Sequence, residues 1–142
     1  MTALFEHSPW IEARADARAS SGDRHADLMA VVYDATPEEQ LALIRAHPEL
    51  AEKVQLTDAS AAEQASAGLD RLSAEEFARF HDLNARYRER FGFPFIICVR
   101  LTDKKGILAA MAARLANDEP QEIATALTEI GKITRLRLED RA

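Results

Sequence analysis

Apolar side chains recur along most of this chain at steps of three and four residues, the spacing of one face of an α-helix. One such stripe joins Phe77, Phe80, Asn84, Tyr87 and Phe91. Similar patterns predict helices over residues 10–18, 24–33, 37–47 and 104–115, and a last long helix over residues 120–138. The pattern therefore predicts a mainly helical protein.

Capping residues mark three of the predicted helix starts. Thr36 with Glu39, and Ser73 with Glu76, have the spacing of a capping box, in which each side chain bonds the other residue's backbone N–H. Asp103 stands where a side-chain acceptor would cap the next helix. These signals place helix starts independently of the apolar stripes.

One stretch breaks the helical pattern, the run FGFPFIICVR at residues 91–100. It is rich in Phe and β-branched residues, and Pro94 removes a backbone donor. A single strand cannot form a sheet, so its buried amides need other partners, and a ligand is one candidate. We expect an all-α, single-domain helical bundle over residues 1–142, with one buried extended segment at about residues 93–100.

Composition narrows the class of protein. The 142 residues carry a net charge of -6 and include one cysteine, Cys98, so an intrachain disulfide and a cysteine-based zinc site are excluded. The acidic balance and the scattered basic residues argue against nucleic acid as a partner. No apolar run reaches the length of a membrane span, and the N-terminus shows no signal-peptide pattern. We expect a cytoplasmic protein.

His47 is the histidine best placed for chemistry. It lies at the predicted end of a helix, directly before Pro48, where a fixed backbone supports the ring. Such a histidine suits a general acid or base near neutral pH. It equally suits a histidine that only complements the helix dipole, and the spacing leaves both interpretations open.

Two further patterns suggest polar groups in a site. Glu63 could orient a histidine and Gln64 could bind an amide-like ligand, although Ser60 and Glu63 also have capping-box spacing. In the last helix, Arg137 continues the apolar stripe while Arg135 points away from it. An arginine that faces a core needs a partner such as Glu63 or a ligand, unless it only extends its charge to the surface.

Five ordered motifs together resemble the OHCU decarboxylase family, where OHCU is 2-oxo-4-hydroxy-4-carboxy-5-ureidoimidazoline, a late intermediate of urate breakdown. They are FEHSPW at 5–10; HPEL at 47–50; LT, S and EQ within 56–64 together with AGL at 67–69; N, Y and RFGFPF within 84–95; and LRL at 136–138. The resemblance covers essentially the whole chain. It implies an all-α, cofactor-independent and homodimeric enzyme that forms (S)-allantoin and has no metal.

The resemblance also implies residue roles. His47 is the expected acid or base, and Glu63 is expected to set the tautomer of its ring and to hydrogen-bond the substrate, a small ureido acid. Arg137 is the expected cationic anchor. The remaining expected substrate-binding residues are Pro48, Ser60, Gln64 and the backbone of Phe95, Ile96, Ile97, Cys98 and Val99.

Two rival functions remain at this point. A helical module without catalysis could grip a ligand or peptide beside Phe95, and a related enzyme could act on a different ureido acid. An adaptor has no need for His47, Glu63 and Arg137 to converge. The distance between these side chains in the folded chain therefore separates a binding module from an enzyme.

Overall fold

Seven α-helices form most of the protein in a computed structural model that describes residues 4–51 and 56–141. They are α1 (Trp10–Asp16), α2 (Arg24–Asp34), α3 (Pro37–Arg45), α4 (Asp58–Ser66), α5 (Ala74–Phe91), α6 (Lys104–Arg114) and α7 (Glu119–Arg141). A 3₁₀ helix, Val99–Leu101, connects α5 to α6, and the described ranges contain no strand. The predicted all-α class is confirmed. The predicted domain limits, and the start of the stretch judged for a signal peptide, lie outside these ranges.

The predicted caps are confirmed at three helices. Thr36 and Glu39 form a reciprocal capping box at α3, and Ser73 and Glu76 form another at α5. The Asp103 carboxylate accepts the Gly106 N–H at 2.8 Å at the start of α6. Each side chain satisfies a backbone donor that the first helical turn leaves unpaired.

The alternative in which Ser60 and Glu63 form a capping box is wrong. The hydroxyl of Thr57 caps α4 instead, accepting the Ser60 N–H at 3.2 Å. Ser60 and Glu63 therefore lie inside the helix, and both side chains are buried. Since neither side chain caps the helix, both can form hydrogen bonds with other groups in the interior of the protein.

Helix α7 lies at the centre of the bundle, because α2 and α3 both pack against it. Gly131 permits the approach of α2, since a Cβ there would stand 3.1 Å from the terminal methyl carbon of Met29. The predicted phase of α7 is confirmed: Arg137 is buried and Arg135 is exposed. Among the described helices, none is both long and apolar enough to cross a membrane.

The apolar run after α5 is buried, and residues 93–98 form neither helix nor strand. The predicted extended segment ends earlier than residue 100, because Val99 begins the 3₁₀ helix. Its turn forms where the Leu101 N–H donates to the Cys98 carbonyl at 3.2 Å and the Thr102 N–H to the Val99 carbonyl at 3.3 Å. These local hydrogen bonds satisfy backbone groups that a neighbouring strand would satisfy in a sheet.

Two helices hold the run from behind with charged side chains, of which Glu129 is buried and Arg114 is partly buried. Arg114 of α6 donates to the Ile96 carbonyl at 2.7 Å, and its guanidinium lies 4.2 Å from the centre of the Phe95 ring. Glu129 of α7 accepts the Cys98 N–H at 3.0 Å. The side chains of Arg114 and Glu129 therefore supply the hydrogen-bond partners that the buried backbone of the run needs, and they fix one wall of the site.

Candidate active site

An inner cavity of about 40 Å³ lies where the end of α3, α4, α7 and the apolar run meet. Leu50, Arg100 and Ile133 line it without having been predicted. Every residue predicted for the site lines it as well, namely His47, Pro48, Ser60, Glu63, Gln64, Phe95, Ile96, Ile97, Cys98, Val99 and Arg137. The fold thus brings the predicted residues together, while their chemical roles stay predictions.

The end of α3 places His47 in this cavity. The helix ends at Arg45, and the His47 N–H donates to the Ile44 carbonyl at 3.2 Å in a final turn. Pro48 then leads the chain away, since it disfavours helical geometry in the residue before it. The His47 side chain is buried rather than exposed at the helix end.

The state of the His47 ring follows from its surroundings. Its Nδ1 lies 2.9 Å from the Leu43 carbonyl, which can only accept, so Nδ1 carries the proton. Burial lowers the pKa of His47 to about 4, against the opposing effect of the Leu43 hydrogen bond. The ring is therefore neutral at physiological pH, and its unprotonated Nε2 is the nitrogen that can act as a base.

The expectation that Glu63 sets the tautomer of His47 is wrong, because the Leu43 carbonyl does so. Glu63 is instead held by Arg137, whose Nε and Nη2 donate to its two carboxylate oxygens at 3.0 and 2.7 Å. This is the bidentate geometry in which guanidinium and carboxylate bind most strongly. The expectation that Glu63 is the partner of a core-facing Arg137 is confirmed.

Glu6 is a further member of this cluster that sequence reasoning missed. Its Oε1 accepts from Arg137 Nη2 at 2.8 Å, from Ser60 Oγ at 2.5 Å and from Thr57 Oγ1 at 3.0 Å. Burial raises the pKa of Glu6, but the hydrogen bonds from Ser60 and Arg137 outweigh burial and lower it. The signal in the sequence was its place in the FEHSPW motif, next to buried Phe5.

The cluster changes the part that Arg137 can play. Two buried carboxylates, Glu6 and Glu63, share its guanidinium, whose side chain is only 2% exposed. The three groups together carry one net negative charge when the carboxylates are ionised. A guanidinium already neutralised in this way has little attraction left for a further anion, so Arg137 is better suited to hold Glu63 in place.

Other predicted residues keep part of their hydrogen-bonding capacity. The Gln64 carbonyl accepts the Ala51 N–H at 3.2 Å, so its amide N–H groups are the ones that can bind a ligand. Burial raises the pKa of the Cys98 thiol, which keeps it protonated and unsuited to nucleophilic attack. Within residues 4–51 and 56–141, no three His, Cys, Asp or Glu side chains are grouped to hold a metal ion.

The burial of His47 predicts an unusual titration. Its ring should remain neutral down to about pH 4, whereas an ordinary histidine takes up a proton near pH 6.5. Because the unfolded chain binds that proton first, the contribution of His47 to the free energy of unfolding should be constant above pH 6.5 and fall by up to about 3 kcal/mol as the pH drops to 4. NMR titration of the His47 ring protons checks this. A His47 midpoint near 6.5 would contradict the description of the site.

Comparison with known sequences agrees with the site. A profile of the OHCU decarboxylase family matches residues 1–139. A curated protein of Haloferax volcanii, named 2-oxo-4-hydroxy-4-carboxy-5-ureidoimidazoline decarboxylase, is 45% identical over 141 residues. That match spans 97% of this chain and 84% of the relative.

Solved structures share the same arrangement of helices. A crystal structure of (S)-allantoin synthase has a TM-score of 0.72 and 29% identity, over 97% of this chain and 46% of that one. A crystal structure of OHCU decarboxylase in the presence of (S)-allantoin has a TM-score of 0.75 over 94% of this chain and 91% of that one, and its 22% identity makes it an argument for the fold alone. The family profile and the Haloferax volcanii relative show that the chain belongs to the OHCU decarboxylase family.

Proposed function

We propose that this protein converts OHCU to (S)-allantoin in urate degradation by a decarboxylation that needs no cofactor. Membership of the OHCU decarboxylase family supports the reaction. The observation that carries the mechanism is a neutral imidazole, His47, and a fixed carboxylate, Glu63, lining the same cavity. These two groups can supply proton transfer and hydrogen bonding to one small molecule.

The chemistry of OHCU explains why protein groups suffice. Carbon 4 of the ring carries both the carboxylate and the hydroxyl, and its neighbour, carbon 5, carries the ureido group. When the bond to the carboxylate breaks, carbon dioxide leaves, the electron pair forms a double bond between carbons 4 and 5, and the pair of the adjacent carbon–nitrogen double bond moves to the ring nitrogen. The ring nitrogen then takes a proton from solvent, so the ring itself serves as the electron sink that pyridoxal or thiamine provides elsewhere.

His47 carries the proton transfer in this proposal. After carbon dioxide has left, its unprotonated Nε2 accepts the proton of the 4-hydroxyl, and carbon 4 becomes a carbonyl as the electron pair of the double bond between carbons 4 and 5 moves to carbon 5. The imidazolium then returns that proton to carbon 5. Delivery from the fixed side of the cavity gives one hand of allantoin, whereas decay in solution gives both.

Glu63 and the apolar wall hold the substrate during these steps. Arg137 fixes the Glu63 carboxylate, which then accepts hydrogen bonds from the N–H groups of the ring or the ureido group. Pro48 and the backbone of residues 95–99 shape the opposite side of the cavity. Ser60 acts through the cluster, since its hydroxyl donates to Glu6 and accepts from Arg137.

The rival binding module has lost its support. A large distance between His47, Glu63 and Arg137 would have favoured it, but all three line the inner cavity. The remaining choice is between OHCU and a related ureido acid, and the family favours OHCU. We further propose a homodimer, supported by the family resemblance, and a cytoplasmic location.

The proposed function is tested by adding freshly generated OHCU and recording circular dichroism. We expect OHCU to disappear faster than in buffer, with only (S)-allantoin as the product. Formation of racemic allantoin at the uncatalysed rate would contradict the proposal. A stable second ureido acid, offered in the same assay, tests the choice of substrate.

A further inference from the structure

The inner cavity is the smaller of two neighbouring spaces, with a volume of about 40 Å³. Next to it lies an outer cavity of about 410 Å³, between α4 and the end of α7. Glu63, Arg100 and Arg137 line both cavities, so these three side chains stand between them. A substrate that enters from the outer cavity must pass them.

Two of these three side chains are fixed in the interior. The side chains of Glu63 and Arg137 are only 10% and 2% exposed, and they bind each other through two hydrogen bonds. Parting them would leave buried charges without partners, which is costly. Arg100 is therefore the one of the three that can move aside at low cost.

Arg100 is also placed to receive a carboxylate. It lies in the 3₁₀ helix that ends the apolar wall, and its Nη1 and Nη2 donate to the two oxygens of Asp140 at 2.7 and 3.3 Å. The side chains of Arg100 and Asp140 are 30% and 50% exposed. A pair this exposed contributes little stability, so a second carboxylate can take the place of Asp140 at little cost. The guanidinium already has the orientation that this exchange requires.

Electrostatics also favour Arg100 as the residue that binds the substrate carboxylate. The substrate carries a carboxylate, and among the described residues that line the two cavities the fixed cations are Arg100 and Arg137. Arg137 is neutralised by Glu6 and Glu63, and the cluster of these three has a net negative charge. An incoming carboxylate is therefore repelled by the cluster, whereas at Arg100 it can replace a single exposed partner, Asp140, and bind the guanidinium.

We propose that Arg100 binds the carboxylate of the substrate, exchanging it for Asp140, and that this carboxylate faces the outer cavity in the bound state. The inference rests on the proposed function, because it takes the substrate to be a carboxylic acid. Asp140 is then the group that keeps Arg100 in position while the site is empty. Carbon dioxide leaves directly into the outer cavity, and the rest of the ring lies toward His47.

The kinetic consequence is specific. The contact with Arg100 is present in the bound substrate and is lost as the carboxylate becomes neutral carbon dioxide. Its removal should therefore weaken substrate binding without slowing the chemical step. The product, allantoin, has no carboxylate, so its binding should not depend on Arg100.

The test is the variant Arg100→Gln, measured with OHCU as substrate and (S)-allantoin as inhibitor. We expect KM to rise about tenfold, kcat to stay within about twofold of wild type, and the inhibition constant of (S)-allantoin to change less than about twofold. Asp140→Asn should lower KM in the wild-type background and have no effect on KM in the Arg100→Gln background. The matched control is Arg18→Gln, which removes an exposed arginine paired with Asp34 and lining neither cavity.

The outcomes are distinguishable. If Arg100→Gln leaves KM unchanged while the wild type forms (S)-allantoin, the inference is wrong and the proposed function stands. If the variant weakens substrate and (S)-allantoin equally, Arg100 supports the shape of the site and does not bind the carboxylate, which also overturns the inference. A wild-type protein that does not accelerate loss of OHCU overturns the proposed function, and the inference with it.

Discussion

His47→Ala is expected to abolish the stereospecific formation of (S)-allantoin and leave only the uncatalysed reaction. The variant removes the neutral Nε2 that takes the proton of the substrate and returns it to one face of the ring. Loss of a positioned acid or base typically costs about 10² to 10⁴ in rate. Circular dichroism of the product gives the hand of the allantoin, and a stopped-flow trace gives the rate.

The variant should remain folded, although at some cost. The His47 ring is buried and bonded to the Leu43 carbonyl, so a loss of about 1–3 kcal/mol in stability follows from its removal. His81→Ala is the matched control, because His81 is exposed and lines no described cavity. A His47→Ala protein that makes (S)-allantoin at the full rate would falsify the assignment of His47.

The helices could be predicted because their signals are local. A capping box such as Ser73 with Glu76 and the apolar stripe from Phe80 to Phe91 involve residues within a few turns of one another. The burial of Arg137 and the exposure of Arg135 followed from helical geometry alone, once the stripe was known. The resemblance to the family predicted that distant residues share one site, but it did not explain which contacts bring them together.

Beyond the Glu63–Arg137 pair, two further contacts that hold the site were not predicted, and both join distant parts of the chain. The carboxylate of Glu6 meets Arg137, and the carboxylate of Glu129 meets the backbone N–H of Cys98. Spacing in the sequence contains no information about such pairs. The proton on His47 depends on a backbone carbonyl, that of Leu43, which every residue possesses and which no motif marks. The sequence therefore suggested Glu63 as the group that sets the tautomer of His47, whereas in the structure the Leu43 carbonyl sets it.

Arg137→Lys is expected to reduce both stability and activity, whereas Arg135→Lys should change neither. Lysine keeps the charge, but its ammonium group is a compact point charge without the planar fork of a guanidinium. It therefore cannot bind Glu6 and Glu63 in the observed geometry. A buried carboxylate left without its partner costs up to about 3–5 kcal/mol when the pair is broken completely, and lysine should recover part of that loss. Thermal unfolding measures the difference between the two variants.

The effect on activity follows from the position of Glu63. Arg137 holds both of its carboxylate oxygens, and a displacement of about 1 Å in such a group can reduce the rate about 10²-fold. We therefore expect Arg137→Lys to lower kcat, in contrast to Arg100→Gln, which should raise KM. Arg135 is exposed, so Arg135→Lys should stay within about 0.5 kcal/mol of wild-type stability. A rise in KM alone at position 137 would show that Arg137, and not Arg100, anchors the substrate carboxylate directly.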